Sequence, residues 1–216
     1  MKVVIDGNIG SGKTTQLGLL EQKGFLVYRE PIDEWPLEEF YQDPKSGAFP
    51  LHMAILRTLK PRGPAIYERS LMSSRWVFWE WAKGKGIASN SKTYEYFYER
   101  HSWNPDLYIF LAKSPEECHS AIHTRGQTGD SHVTLEYLKE LDELYNNLLM
   151  RVPCMVHVIN ASAPPEEIHA KILTILSHNE HYKMLFSDYR GDKMQKSCQA
   201  RREVLCPPFQ DVCRLS

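Results

Sequence analysis

The chain lacks a long hydrophobic run and an excess of either charge. No apolar stretch approaches the roughly 18 residues that cross a bilayer, and the N-terminus carries no signal-peptide pattern. Its 26 Lys and Arg residues nearly balance 27 Asp and Glu residues, which gives a formal net charge of −1. General nucleic-acid binders usually carry a strong basic excess. We therefore expect a soluble, intracellular (cytoplasmic) protein with no membrane or nucleic-acid partner.

Cysteine is also sparse, with five residues and no CxxC pair. An odd set at these spacings indicates neither a zinc site nor a disulfide framework, so we expect reduced thiols. The length of 216 residues and a hydrophobic content of 42% suit one α/β domain with a sizeable core. The cysteines are Cys118, Cys154, Cys198, Cys206 and Cys213.

A phosphate-binding motif follows the first predicted strand. The apolar residues 1–6 lead into GNIGSGKTT and then into a helix-like run. Glycines in this loop let several backbone N–H groups point at one anion, and the helix dipole adds positive charge. The pattern predicts that Lys13 reaches the β- and γ-phosphates and that the Thr14 hydroxyl binds Mg²⁺. The predicted ATP-binding residues are Gly7, Asn8, Ile9, Gly10, Ser11, Gly12, Lys13, Thr14 and Thr15.

Strands and helices alternate along the chain, which predicts an α/β fold with a central parallel sheet flanked by helices. The predicted strands are 3–6, 25–29, 65–68, 107–111 and 156–159. The predicted helices are 16–22, 50–59, 71–83, 92–101, 115–123, 135–150 and 165–176. We assign residues 1–176 to one domain. Residues 177–216 lose apolar periodicity, which predicts a partly disordered C-terminal extension, with a partner or nucleic-acid contact as the alternative.

Two further motifs lie at predicted strand ends, where ligands of open parallel sheets bind. Glu30 follows the second strand and could accept the proton of an attacking hydroxyl, while Trp35 could form an aromatic wall or simply pack in the core. Arg69 follows the third strand and could stabilise charge on a transferred phosphoryl group. Glu68 is a candidate metal ligand, and a structural ion pair between Glu68 and Arg69 is the competing interpretation.

GNIGSGKTT, Glu30-Pro31-x-x-Trp35 and Glu68-Arg69-Ser70, in this order and spacing, resemble the deoxynucleoside kinase family. The resemblance covers about residues 2–160 and extends to the segments 41–44, YQDP, and 135–141, LEYLKEL. It implies a P-loop kinase fold with a flexible lid, ATP and Mg²⁺ as cofactors, a deoxynucleoside substrate and a homodimer.

The resemblance also implies roles for single residues around the sugar. Glu30 would activate the 5′-hydroxyl, and Arg69 would hold that oxygen together with the phosphoryl group. Glu68 would help to organise the Mg²⁺ shell. Tyr41 would bind the deoxyribose 3′-hydroxyl, helped by Asp130.

Around the base, the resemblance implies that Trp35 and Phe78 sandwich the ring. Ile55 and Leu59 would shape the far side of the base pocket. His52 stands where the family usually has a glutamine that reads the base edge through two hydrogen bonds, and an imidazole cannot reproduce that paired donor and acceptor.

The lid also departs from the family, which usually carries several arginines there. Here Arg125 remains, with Ala121 and Gln127 at the other expected sites. Arg125 would therefore supply most of the lid's charge on the donor phosphates, with His123 as an aid.

The substrate prediction follows from the same resemblance. Ser74 stands where cytidine and purine kinases carry an acid, and Leu59 stands at the paired arginine site, a pattern similar to thymidine-using and multisubstrate members. Thymidine is the leading acceptor, with deoxycytidine or a purine deoxynucleoside as alternatives. Two other functions stay open: a thymidylate kinase, which shares the segment Arg29-Glu30-Pro31, and a non-catalytic nucleotide switch.

Overall fold

A computed structural model describes residues 1–126 and 130–186. Within those ranges the chain builds one parallel sheet of five strands, in the order β2-β3-β1-β4-β5. The strands are β1 (Lys2–Asp6), β2 (Val27–Tyr28), β3 (Ala65–Glu68), β4 (Leu107–Ala112) and β5 (Val156–Asn160). Because β1 lies between β3 and β4, the loop after β1 is adjacent to the carboxyl ends of both neighbours.

Helices connect the strands and cover both faces of the sheet. They are α1 (Lys13–Gln22), α2 (Leu37–Gln42), α3 (Pro44–Thr58), α4 (Leu71–Ser73), α5 (Glu80–Gly84), α6 (Ser91–His101), α7 (Pro115–Arg125), α8 (Leu135–Leu149) and α9 (Pro165–Ser177). A π-helical segment, Ser74–Trp79, joins α4 to α5, and short 3₁₀ turns cover Ile32–Glu34, Asp130–His132 and Tyr182–Leu185. Every described helix is too short or too polar to cross a lipid bilayer.

The core forms two layers because alternate residues of β1 point to opposite faces of the sheet. Val4 packs with the aromatic side chains of α6 and α8 on one face. Val3 and Ile5 pack with α1 and α9 on the other. Each of these three β1 side chains is fully buried, so the strand that leads into the phosphate-binding motif is fixed on both sides.

The predicted α/β class is confirmed, and several element bounds differ. The helix predicted over 50–59 begins at Pro44, because the Asp43 side chain accepts from the N–H groups of Lys45 and Ser46 and so caps it. Pro50 therefore lies inside the helix. The helix predicted over 71–83 contains the π-helical segment, and α2 was not predicted.

The second strand is shorter than the predicted 25–29. The N–H of Leu26 donates to the carbonyl of Leu185 at 2.6 Å, and Phe25 bridges to Phe186, whose ring stacks on it with centroids 4.3 Å apart. Leu185 is fully buried. Leu185 and Phe186 thus contact the core, although they lie beyond the predicted domain end at 176. Residues 187–216 of the predicted C-terminal extension lie outside the described residues.

Candidate active site

The phosphate-binding motif forms a tight loop between β1 and α1. Gly10 and Gly12 have φ of +84° and +94°, which side-chain-bearing residues rarely adopt. The Lys13 ammonium lies inside the loop and donates to the carbonyls of Gly7 at 2.9 Å and Asn8 at 2.8 Å. Burial, with help from the nearby positive charge of Arg69, lowers the pKa of Lys13 to about 8. The loop therefore holds a cation where an anion can bind.

Two helices that come later in the chain, α7 and α8, contact the phosphate-binding loop. The Asn8 side-chain amide donates to the carbonyl of Leu138 on α8 at 2.9 Å. A Cβ on Gly10 would lie 2.5 Å from the carbonyl oxygen of Cys118 on α7, so this helix packs directly against the loop backbone. The loop geometry thus depends on α7 and α8 as well as on its own sequence.

Glu30 and Arg69 meet beside the loop as an ion pair, with Arg69 Nη1 donating to Glu30 Oε2. The Arg69 guanidinium also donates to Tyr145 Oη at 3.1 Å and to the carbonyl of Gly7 at 3.2 Å. Arg69 has φ of +56°, a conformation that is strained for a residue with a Cβ. Several contacts hold it there, and they connect the acidic group directly to the phosphate-binding loop.

The Glu30 carboxyl is buried, and burial raises its pKa to about 7. The positive charge of Arg69 limits this rise, while the neighbouring carboxylate of Glu68 adds to it. A carboxyl that titrates near neutral pH can accept a proton from a hydroxyl and release it again. The pKa of Glu30 therefore suits a general base.

Asp6 and two tyrosines form a hydrogen-bonded network next to Arg69, and the sequence did not predict it. Asp6 is fully buried and accepts from Tyr108 Oη at 2.5 Å, from Tyr145 Oη at 3.1 Å and from the N–H of Gly7 at 2.7 Å. Its Oδ1 also lies 3.5 Å from Arg69 Nε. The position of Asp6 directly before the first loop glycine was the only local signal, since the tyrosines come from β4 and α8.

Thr14 and Glu68 provide oxygen atoms for a cation next to the loop. The Thr14 hydroxyl donates to Glu68 Oε1 at 3.3 Å, and Glu68 Oε2 accepts from the N–H of Glu30 at 3.4 Å. Mg²⁺ prefers hard oxygen ligands and usually takes one or two carboxylates together with phosphates. The two side chains fit such an ion. The competing interpretation of Glu68 is not favoured, because Arg69 pairs with Glu30 and Asp6 instead.

A cavity of about 1130 Å³ extends from the loop past this ion pair. Its volume exceeds the range of roughly 300–1,000 Å³ that is typical for one drug-sized ligand. The predicted acceptor residues line it, namely Trp35, Tyr41, His52, Ile55, Leu59, Phe78 and Asp130. The Arg69 guanidinium lies 5.2 Å from the centroid of the Phe78 ring, so the charged and aromatic parts of the cavity are contiguous.

The polar wall of the cavity is made by residues at and after α7. Asp130 binds Arg125 through two hydrogen bonds, of 2.5 and 3.2 Å. Tyr41 stacks on His132 with ring centroids 4.5 Å apart, and burial together with the charge of Asp130 raises the pKa of Tyr41. The predicted sugar and lid residues thus lie together. His132 was not predicted, and Gln127 lies outside the described residues.

The chain is similar in sequence or in fold to proteins that are named thymidine kinase and deoxyadenosine kinase. Thymidine kinase of Ictalurid herpesvirus 1 (strain Auburn) is 30% identical over 193 residues, which are 80% of this chain and 84% of that protein. Deoxyadenosine kinase of Dictyostelium discoideum is 30% identical over 173 residues, 73% of this chain and 70% of that one. A solved structure of deoxyadenosine kinase from M. mycoides, with dCMP and a flexible dCDP bound, superposes with a TM-score of 0.75 at 23% identity and covers 83% of this chain and 100% of that one.

Fold and site together define a P-loop phosphotransferase that acts on a hydroxyl group. The family model described as deoxynucleoside kinase matches residues 3–190. The chain belongs to the deoxynucleoside kinase family.

Proposed function

We propose that this kinase transfers the γ-phosphoryl group of ATP to the 5′-hydroxyl of a deoxynucleoside, with thymidine as the preferred acceptor. The observation that carries the proposal is the buried Glu30–Arg69 pair, which lies between the phosphate-binding loop and the aromatic part of one cavity. A nucleotide switch would not need an acid and an arginine at the ends of two further strands.

In the proposed reaction, the acceptor 5′-oxygen attacks the γ-phosphorus while the bond from that phosphorus to the β–γ bridging oxygen breaks. The hydroxyl proton passes to the Glu30 carboxylate, and ADP leaves with the electrons of the broken bond. Arg69 binds both the attacking oxygen and the phosphoryl group and stabilises the charge that grows there. Because no covalent enzyme intermediate forms, catalysis consists mainly of positioning and electrostatics.

The donor phosphates would bind the N–H groups of the loop and the ammonium of Lys13, which would exchange its loop carbonyls for phosphate oxygens. Thr14 and Glu68 would hold Mg²⁺, which when bound neutralises charge on the β- and γ-phosphates. Arg125 would add positive charge from the end of α7. Since Arg125 is paired with Asp130 here, the donor phosphates compete with that carboxylate for it.

On the acceptor side, Tyr41 and Asp130 would bind the 3′-hydroxyl of the deoxyribose, and Trp35 and Phe78 would enclose the base. The Trp35 indole is already fixed by a 2.9 Å hydrogen bond to Thr58, so its ring offers a rigid apolar face.

The preference for thymidine rests on the chemistry of the base pocket. Ser74 and Leu59 leave the pocket without the acid and arginine that the resemblance associates with cytidine and purine kinases. Thymidine monophosphate is a poorer acceptor, because its phosphate would approach the Glu30 carboxylate and be repelled.

An acceptor panel tests the proposal. ADP formation is measured in separate reactions with thymidine, deoxycytidine, deoxyadenosine, deoxyguanosine, thymidine monophosphate and no acceptor. Separately, size-exclusion chromatography with light scattering tests whether the protein is a homodimer, as the resemblance implies. We expect the rate of ADP formation to be higher with thymidine than with any other acceptor in the panel. Turnover with thymidine monophosphate alone would assign the protein to the thymidylate kinases, and equal ADP release without acceptor would contradict the transfer reaction.

A further inference from the structure

A solvent-facing side of α7 carries two histidines one helical turn apart. His119 and His123 are four positions apart in this helix, so their side chains are neighbours on its surface. His119 is half-buried and His123 is exposed. From the same helix, Ala121 and Arg125 line the cavity of the candidate active site, and the two histidines lie outside that lining. The pair therefore belongs to a surface that the proposed reaction does not use.

The two imidazole rings direct their Nε2 atoms at each other. These atoms are 3.0 Å apart, and the ring centroids are 4.2 Å apart with the ring planes at 78°. In this hydrogen bond the N–H of one ring donates to the Nε2 lone pair of the other, so the accepting ring is neutral. The nitrogen of a neutral imidazole is also a common metal ligand.

The distance between the two Nε2 atoms is that of two nitrogens bound to one metal ion. With Zn–N bonds of about 2.0–2.1 Å and an angle at the metal of about 90–109°, the nitrogens lie about 2.8–3.4 Å apart. Histidines at positions i and i+4 of a helix supply two such ligands in zinc metalloproteases. Binding requires both rings to carry their hydrogen on Nδ1, which frees both Nε2 lone pairs for the metal.

The surroundings of the pair are compatible with a cation. Lys139 of α8 is 3.1 Å from Glu116, one turn before His119, so a carboxylate balances its charge. Arg125 is paired with Asp130 in the same way. Within residues 1–126 and 130–186, no third His, Cys, Asp or Glu side chain completes a cluster with the two histidines. Water molecules would therefore occupy the other coordination positions.

We propose that His119 and His123 form a surface site for Zn²⁺ or a chemically similar divalent transition-metal ion. Imidazole nitrogen suits Zn²⁺, Cu²⁺ and Ni²⁺, whereas Mg²⁺ prefers oxygen, so this site differs in place and in chemistry from the pair Thr14 and Glu68. An ion held by both rings links two successive turns of α7 and stabilises the helix end that carries Arg125. The inference does not depend on which acceptor the kinase uses.

The test is isothermal titration of Zn²⁺ into the full chain without nucleotide or Mg²⁺. It compares the wild type, His123→Asn and a matched variant that combines His123→Thr with Thr124→His. The matched variant keeps the number of histidines but turns the second ring away from His119. Since other histidines and thiols of the chain can also bind Zn²⁺, the difference between the proteins defines the site. We expect the Zn²⁺ affinity of this site to fall about tenfold or more in both variants.

Hydrogen exchange measured by mass spectrometry locates the bound ion. At a Zn²⁺ concentration about ten times its Kd, amide exchange through opening of the last turns of α7 should slow about tenfold in the wild type. The matched variant with Zn²⁺, and the wild type with Mg²⁺, should show no such protection. Far-UV circular dichroism checks that the variants, both changed at exposed positions, keep the helix content of the wild type.

Equal Zn²⁺ titrations in all three proteins overturn the inference, because affinity would then not depend on the spacing of the two histidines. Zn²⁺ protection that is absent from residues 115–125 of the wild type, or that is equally strong in the matched variant, overturns it as well.

Discussion

Replacing Glu30 by Gln isolates the proton-accepting step from substrate binding. The amide keeps the size of the carboxyl and can still accept a hydrogen bond from Arg69, but it cannot take a proton from the 5′-hydroxyl. General bases contribute about 10²–10⁴ in rate. We therefore expect kcat to fall by about that factor, which corresponds to about 3–5 kcal/mol of transition-state stabilisation. The matched control is Glu34→Gln, an exposed acid of the same segment, which should leave kcat unchanged.

The pH dependence of kcat/KM provides a second test of Glu30 as the base. Only the deprotonated carboxyl can act as the base, and its pKa is raised to about 7. Below pH 7, kcat/KM of the wild type should fall about tenfold per pH unit as Glu30 becomes protonated. Above about pH 8 it should fall again, because Lys13 loses the proton that phosphate binding needs. The profile is therefore a bell with its maximum between pH 7 and 8.

The measurement is the rate with both ATP·Mg²⁺ and thymidine well below their KM, so that it reports the free enzyme, between pH 5.5 and 9.5, for the wild type, Glu30→Gln and Glu34→Gln. Glu30→Gln should lose the acidic limb of the bell. A Glu30→Gln enzyme that keeps nearly full activity, or that keeps an inflection near pH 7, refutes the assignment of Glu30 as the base.

Three further predictions concern the surroundings of this pair. Tyr145→Phe removes an acceptor of the Arg69 guanidinium, so kcat should fall about tenfold with little change in the KM for thymidine, measured by steady-state kinetics. Gly10→Ala places a Cβ 2.5 Å from a backbone oxygen of α7, whereas Gly12→Ala meets no atom within 4 Å at a similar φ, so denaturant unfolding should show Gly10→Ala less stable than Gly12→Ala by about 1–3 kcal/mol. Arg125→Ala should raise the KM for ATP and lower kcat, each about tenfold, and unchanged turnover would remove this residue from donor binding.

The parts of the site that could be predicted from sequence are those encoded by contiguous residues. The glycines and Lys13 lie in one motif, and Glu30 and Arg69 each follow a predictable strand. Neighbouring parallel strands end at the same edge of the sheet, so these groups had to converge. That Arg69 pairs with Glu30 rather than with its neighbour Glu68 depends on strand order and backbone conformation, which local patterns do not encode.

The remaining parts depend on long-range packing. Tyr108 and Tyr145 reach Asp6 across 102 and 139 positions of sequence, so nothing near Asp6 announced them. His52 Nδ1 lies 3.3 Å from Ser74 Oγ, at the start of the π-helical segment. The sequence predicts an ordinary helix there, because the wider turn of a π-helix changes the apolar spacing little over six residues.

The measurement that tests the central claim most directly is identification of the product. The wild type and Glu30→Gln are incubated with ATP, Mg²⁺ and thymidine, and the nucleotides formed are separated and quantified. We predict thymidine 5′-monophosphate and ADP in equal amounts with the wild type, and a loss of both, by about 10² or more, with Glu30→Gln. ADP without a phosphorylated nucleoside, or thymidine 5′-monophosphate formed equally well by the variant, would contradict the account.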